Sequence, residues 1–250
     1  MGLAITRLSA SDAGLRIVGA ICSAEDPARG RDLGELAGVG TLGVVADADV
    51  ASALLGADVV IDFSVASAAA TLFALAPRHG VAVVSGTTNL DGAAERALEQ
   101  AAIKVPVLWA PNMSLGVQVL AELVEHAVRR LGAAFDVEIV ELHHRRKVDA
   151  PSGTALRLAR AARTARPDLR ERSAREGHVG ARPDEELGVW GVRGGDVVGD
   201  HTVYLLGPGE RLELVHRATS RDVFAQGALV AARFLHGKAP GRYSIADVLA

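Results

Sequence analysis

Cysteine is almost missing from this chain: Cys22 stands alone among 250 residues. A single thiol forms no internal disulfide, which excludes a disulfide-stapled secreted scaffold and points to a reducing compartment. Aromatic residues make up only 4% of the chain, so the core must be built from alanine, valine and leucine. Apolar runs of membrane-spanning length are absent, as is the apolar segment of a signal peptide. The cytoplasm is the expected location, and no membrane partner is expected. Positive charge is not in excess, with 27 Lys+Arg against 30 Asp+Glu and a net charge of -3. That balance argues against a nucleic-acid partner. No spacing of ligating residues suggests a metal site. Lysine is the last scarcity. It occurs only at Lys104, Lys147 and Lys238, while arginine supplies nearly every other cation.

What is present is a regular alternation. Apolar stretches at 15–22, 57–63, 81–85 and 105–110 read as buried strands, with a short strand at 44–45. Amphipathic helices are expected over 1–11, 50–55, 65–78, 91–102 and 114–131. Strand and helix in turn predict an α/β, doubly wound (Rossmann-like) parallel sheet. Beyond residue 114 the grammar changes. A strand at 135–142 and a helix at 154–165 precede a polar loop, then strands near 188–193, 197–206 and 211–219. Successive strands predict a second α+β domain on a mostly antiparallel sheet, and 223–237 returns to helix. The run Gly38-Val39-Gly40-Thr41-Leu42-Gly43 satisfies a dinucleotide fingerprint literally. It lies before a strand rather than between a strand and a helix, so it reads as a glycine loop.

The stretch 138–155, EIVELHHRRKVDAPSGTA, is the densest in chemistry. A β-rich run ends at His143 and His144, a charged loop carries Lys147 and Asp149, and Ser152-Gly153-Thr154 opens a helix. Two imidazoles, an ammonium and the unpaired N–H groups of a helix start suit a small carboxylate with proton donors beside it. The same residues read equally as a solvated basic loop before an ordinary helix cap. Lysine at 147 favours chemistry, because an ammonium can release a proton at neutral pH and a guanidinium cannot.

The pattern E-x-x-E-x-H-H-x-x-K-x-D-x-P-S-G-T-A resembles the signature of the dihydrodipicolinate reductase family. The similarity extends to Gly86-Thr87-Thr88, Ala110-Pro111-Asn112-Met113, Arg175-Glu176-Gly177-His178, Gly194-Gly195-Asp196 and Ala218-Thr219-Ser220-Arg221. It implies an NADPH- or NADH-dependent reductase of lysine and diaminopimelate biosynthesis, acting on a cyclic imine dicarboxylate. By resemblance, His143 and Lys147 exchange protons with the substrate. His144, Ser152, Gly153 and Thr154 bind it. Gly86, Thr87, Thr88, Ala110, Pro111, Asn112 and Met113 contact the nucleotide. The resemblance also implies a discontinuous nucleotide domain, 1–114 plus 222–250, around a substrate-binding and oligomerisation domain, 115–221, and a homotetramer built through the latter's sheet.

One departure accompanies it. The family opens with a strand and a glycine-rich pyrophosphate loop, whereas Met1-Gly2 aligns with the end of that loop. The expected parallel sheet therefore lacks its first strand. A carboxylate-binding homologue with impaired or no catalysis is the alternative reading. An aspartate-semialdehyde enzyme would need a cysteine nucleophile, and Cys22 is in the wrong place for one. A homoserine enzyme does not account for the His-His-x-x-Lys to Ser-Gly-Thr run.

Overall fold

The computed structural model describes residues 1–250. The chain forms two compact units, Met1–Ser114 with Asp222–Ala250, and Leu115–Arg221.

The first unit begins with α1 (Gly2–Ala10), β1 (Ala20–Ile21), α2 (Leu33–Ala37), β2 (Ala46–Asp47) and α3 (Val50–Ala53). There follow β3 (Val59–Asp62), α4 (Ala66–His79), β4 (Ala82–Ser85), α5 (Gly92–Ala102) and β5 (Pro106–Trp109). The second unit holds α6 (Leu115–Leu131), β6 (Asp136–His143), α7 (Gly153–Ala165), β7 (Arg170–Arg172), β8 (Glu186–Arg193), β9 (Gly199–Gly207) and β10 (Glu210–Ala218). The chain then returns to the first unit with α8 (Asp222–Leu235), β11 (Gly241–Tyr243) and α9 (Ile245–Leu249).

Aspartates at 32, 49 and 91 start α2, α3 and α5 by accepting hydrogen bonds from first-turn N–H groups. The main sheet of the first unit has the order β11-β5-β4-β3 and is parallel throughout. Its core is aliphatic, with Leu72, Val81, Val83, Leu98 and Val107 packed round Phe73. The strand expected over 15–22 is laddered only at Ala20–Ile21, where β1 pairs with β2 in a separate two-stranded sheet. Extended backbone becomes a strand only where a neighbour completes the ladder, and β3 ends the main sheet without reaching β1. Gly19 lies hard against α3, where a Cβ would stand 2.2 Å from the Ala53 carbonyl oxygen. The glycine run 38–43 is a loop. Asp32 gathers it by accepting from Leu42 and Gly43 as well as from α2, and the run leads into β2 rather than into a helix.

In the second unit the sheet order is β10-β9-β6-β8-β7. The β10–β9 and β9–β6 ladders are antiparallel, and the β6–β8 and β8–β7 ladders are parallel. Helices α6 and α7 cover one face through Val124, Val128 and Leu158, which pack on Val137, Ile139, Leu187, Val203 and Leu205. Burying each such side chain stabilises the unit by about 1.5–3 kcal/mol.

Candidate active site

Period two decides what β6 presents. Val137 and Ile139 face the helices, so Glu141 and His143 lie on that same face, while Glu138, Val140 and Leu142 lie on the other. Glu141 is fully buried and His143 nearly so. The Glu141 carboxylate has four donors. Arg193 at the end of β8 gives Nη1 to Oε2 and Nη2 to Oε1, each at 2.7 Å. The Ser152 N–H reaches Oε1 at 3.0 Å, and His143 Nδ1 lies 2.5 Å from Oε2. Burial raises the Glu141 pKa. The hydrogen bonds from Arg193, His143 and Ser152 outweigh it and hold the carboxyl below its usual 4.5. An ionised carboxylate only accepts, so His143 carries its proton on Nδ1 and donates it. The lone pair is left on Nε2. Burial, aided by the Lys147 and Arg193 charges, lowers the His143 pKa below 6.5 against the opposing pull of Glu141.

Gly199 of β9 gives that nitrogen room, since a Cβ there would stand 3.0 Å from His143 Nε2. His201 on the same strand packs edge-on against His143, ring centroids 5.1 Å apart. Its Nε2 meets Ser152 Oγ at 3.1 Å, and its Nδ1 is buried without a partner. Burial, then the neighbouring His143, pushes the His201 pKa down to about 4.

The loop after β6 is tied back by short bonds. The His144 N–H donates to the Val197 carbonyl and the Lys147 N–H to the His144 carbonyl. The Lys147 ammonium spans both oxygens of Asp149 at 2.7 and 2.9 Å, and that contact holds the Asp149 carboxyl below its usual range. The Ala150–Pro151 peptide is cis. Ser152 then caps α7, accepting from the Ala155 N–H.

Of the residues expected from sequence, His143, Lys147 and the start of α7 at Gly153 and Thr154 cluster here. A Cβ on Gly153 would meet nothing within 4 Å, so the helix start is open above it. Ser152, expected from sequence to bind substrate, lies at the same helix start as its cap. It is buried, and its hydroxyl is engaged with its own helix and His201, as an N-cap geometry dictates. His144, next after His143 along the chain, has its Nδ1 buried without a hydrogen bond. Glu141, Arg193, Gly199 and His201 were not picked out from sequence. Glu141 carried a signal, because a residue two before His143 in a strand shares its face.

In the first unit, β3, β4 and β5 end along one edge of the sheet, with Asp62 in register with Ser85 and Ser85 with Trp109. Asp62 is buried and saturated there. It accepts from the Ser85 and Thr87 hydroxyls at 2.7 Å each and from the Ser64 N–H at 2.9 Å. The Thr87 hydroxyl is thus turned inward, onto Asp62. Met113 is buried, at 1% exposed. Ala110 is also buried, whereas Thr88 and Pro111 are exposed and Asn112 is half-buried. Gly86 is fixed by Phe63, whose ring would lie 2.3 Å from a Cβ, and Trp109 Nε1 donates to the Thr87 carbonyl. The edge fits a reduced nicotinamide nucleotide in chemistry. Its one strand-end carboxylate is buried and occupied by internal hydrogen bonds, and the exposed groups are neutral donors and acceptors suited to an amide or a ribose.

Two family models match the chain: "Dihydrodipicolinate reductase, N-terminus" over residues 1–113 and "Dihydrodipicolinate reductase, C-terminus" over 116–249. A 4-hydroxy-tetrahydrodipicolinate reductase of Anaeromyxobacter sp. (strain Fw109-5) is 51% identical over 253 residues, covering 100% of this chain and 93% of that protein. The enzyme of the same name from Myxococcus xanthus (strain DK1622) is 46% identical with the same coverage. Among solved structures, a dipicolinate-bound dihydrodipicolinate reductase from Paenisporosarcina sp. TG-14 superposes with a TM-score of 0.76 at 21% identity, covering 96% of this chain and 92% of that one.

Proposed function

This chain belongs to the dihydrodipicolinate reductase family, and from that premise we propose how its residues divide the reaction. The chain is an NAD(P)H-dependent oxidoreductase acting as a 4-hydroxy-tetrahydrodipicolinate reductase, which yields tetrahydrodipicolinate for lysine and diaminopimelate biosynthesis. When bound, the reduced nicotinamide would supply hydride to the ring carbon conjugated with the imine once the 4-hydroxyl has left as water, the imine itself being kept in the product.

The residues of this chain do the rest. His143 Nε2 exchanges a proton with the substrate, and the Lys147 ammonium donates one as electrons move into the ring. The Gly153 and Thr154 amides at the start of α7 hold one carboxylate, with the helix dipole behind them. His144 serves the second carboxylate. Asp149 orients the Lys147 ammonium until substrate arrives. Residues 1–114 with 222–250 form the nucleotide-binding domain, in which Gly86, the Thr87 backbone, Thr88, Pro111 and Asn112 meet NADPH or NADH. Residues 115–221 form the substrate domain. The single observation that carries this reading is the Glu141–His143 contact, which leaves one imidazole nitrogen with a lone pair beside Gly199.

The second unit also supports a homotetramer built through its sheet. The face opposite α6 and α7 carries Val140, Leu142, Val192, Thr202, Tyr204 and Val215, and Val192 and Val215 are exposed. No helix is long and apolar enough to cross a membrane, and the reaction's place in amino-acid biosynthesis supports the cytoplasm.

Lys147→Met tests the division of labour. The variant should lose roughly 10²–10⁴-fold in kcat, the range for a positioned acid, while NADPH affinity followed by nicotinamide fluorescence stays within about twofold. Wild-type kcat in that variant would remove Lys147 from the mechanism. Light scattering of the native protein decides between tetramer and smaller species.

A further inference from the structure

We propose that Glu141 is a positioning residue, charge-balanced by Arg193, that sets the tautomer of His143 and ties its ring to the start of α7. The proposal rests on His143 as the proton-exchange residue and concerns what makes it one.

Three facts converge on one carboxylate. Oε2 receives His143 Nδ1, so the ring can rotate only by giving up a bond of 2.5 Å. Oε1 receives the Ser152 N–H at 3.0 Å, so the same side chain fixes the first residue of the helix whose next amides face substrate. Arg193 grips both oxygens at 2.7 Å and passes its Nη2 on to the Asp149 carbonyl at 2.6 Å, joining the Lys147 loop to the same point. One buried anion thus holds the ring, the carboxylate cradle and the ammonium loop in register.

Arg193 has a second consequence. A lone buried carboxylate beside an imidazole would draw a proton onto it and keep it as imidazolium, unable to accept. A bidentate guanidinium cancels that field, so the Glu141–Arg193 pair orients His143 without charging it. The other charged groups facing His143 are Lys147 and Asp149 from the loop and His201 from β9. His201 stays neutral above its low pKa, and Lys147 is paired with Asp149. Gly191 of β8 sits opposite Glu141, where a Cβ would stand 3.1 Å from Oε1, so the strand leaves space for the carboxylate.

Nitrogen-15 spectra of histidine-labelled enzyme read the tautomer directly. His143, assigned by its loss in His143→Ala, should show a protonated Nδ1 and an unprotonated Nε2 at pH 8. In Glu141→Leu/Arg193→Met, where no buried charge is left unpaired, the proton should move to Nε2. The kcat should fall 10–100-fold, with KM for substrate and for NADPH changing less than threefold. Glu141→Gln keeps an acceptor oxygen and should keep the native tautomer and more than a tenth of kcat. A folded double variant with native tautomer and kcat overturns the proposal, as does a wild-type His143 protonated on Nε2. If the double variant does not fold, the wild-type and Glu141→Gln spectra decide. Should His143→Ala itself retain full kcat, the assignment of the proton-exchange residue falls instead, which separates the two failures.

Discussion

Two glutamates of β6, Glu138 and Glu141, are both buried, both held by arginine, and point to opposite faces of the same sheet. Glu138 ends in a closed knot. Its Oε1 accepts from Arg175 Nη2 at 2.6 Å and Arg182 Nε at 3.0 Å, and its Oε2 from Trp190 Nε1 at 2.6 Å. Arg175 stacks 4.9 Å over the Trp190 ring and also binds Glu186, while Arg182 reaches Asp136. Every polar atom named there is spent on another part of the same domain. Glu141 has four donors to the three of Glu138, but one of them is an imidazole whose far nitrogen has no partner in the domain. A buried carboxylate paired with arginine is therefore no mark of a site. The distinguishing feature is a titratable atom left open at the end of the chain of bonds.

The largest test breaks the comparison at its two ends. His143→Ala should lower kcat by roughly 10²–10⁴-fold, with little change in the urea midpoint. Glu138→Ala should do the opposite. It removes a shared acceptor from Arg175, Arg182 and Trp190, while Glu186 and Asp136 still pair with the two guanidinium groups, and should cost about 1–3 kcal/mol of stability. The folded fraction should turn over near the wild-type rate. Equal losses of kcat in both variants would mean that the two networks are not separable.

Acid separates them next. The His201 pKa of about 4 lies below the usual 6.5. Above pH 6.5 neither folded nor unfolded chain binds a proton there, so this group makes no pH dependence. As pH falls below 6.5, the unfolded chain takes up a proton that the buried ring refuses. Stability drops until pH about 4, where both states bind it. At ~1.4 kcal/mol per unit the loss is roughly 3 kcal/mol. Urea unfolding from pH 8 to 4 should show the slope, and His201→Gln should flatten it by that amount. Parallel profiles for the two proteins would assign the acid sensitivity to other groups.

How much of this was legible in sequence follows from how local each feature is. The alternation of strand and helix and the cluster of His143, Lys147 and the α7 start lie within short windows. Arg193 and His201 reach Glu141 and Ser152 only through strand register. β8 pairs with β6 in parallel and β9 pairs with it antiparallel, which no local pattern specifies. The reverse error arose at 15–22, where apolar content promised a strand but the ladder covers two residues. β11, Gly241–Tyr243, was too short to show a period, and it exists because β5 offers it an edge. Hydroxyl direction was also unreadable, so the internal bonds of Ser152 to His201 and of Thr87 to Asp62 were not foreseen.

The smallest effect gives the sharpest comparison, because each glutamate lies opposite a glycine of β8. Glu138 is in register with Gly188, and Glu141 with Gly191. A Cβ at 188 would stand 1.8 Å from Glu138 Oε2 and 2.6 Å from Trp190 Nε1. That carboxylate is locked by three donors, so Gly188→Ala forces it out of place and should cost about 1–3 kcal/mol, the usual range for overpacking. At 191 a Cβ would stand 3.1 Å from Glu141 Oε1 and 3.3 Å from the Ala150 Cβ, asking for a shift of only tenths of an ångström. Alanine also lowers the entropy of the unfolded chain by about 0.4–1 kcal/mol relative to glycine, which offsets so small a strain. Gly191→Ala should be near neutral in stability. It should still lower kcat a few-fold, since the displaced oxygen holds the α7 start and its carboxylate holds His143, and misplacing a reacting group by about 1 Å can cost 10²-fold. Gly188→Ala should leave the kcat of its folded fraction intact. If Gly191→Ala loses stability and Gly188→Ala loses turnover, the roles assigned to the two faces of β6 are reversed.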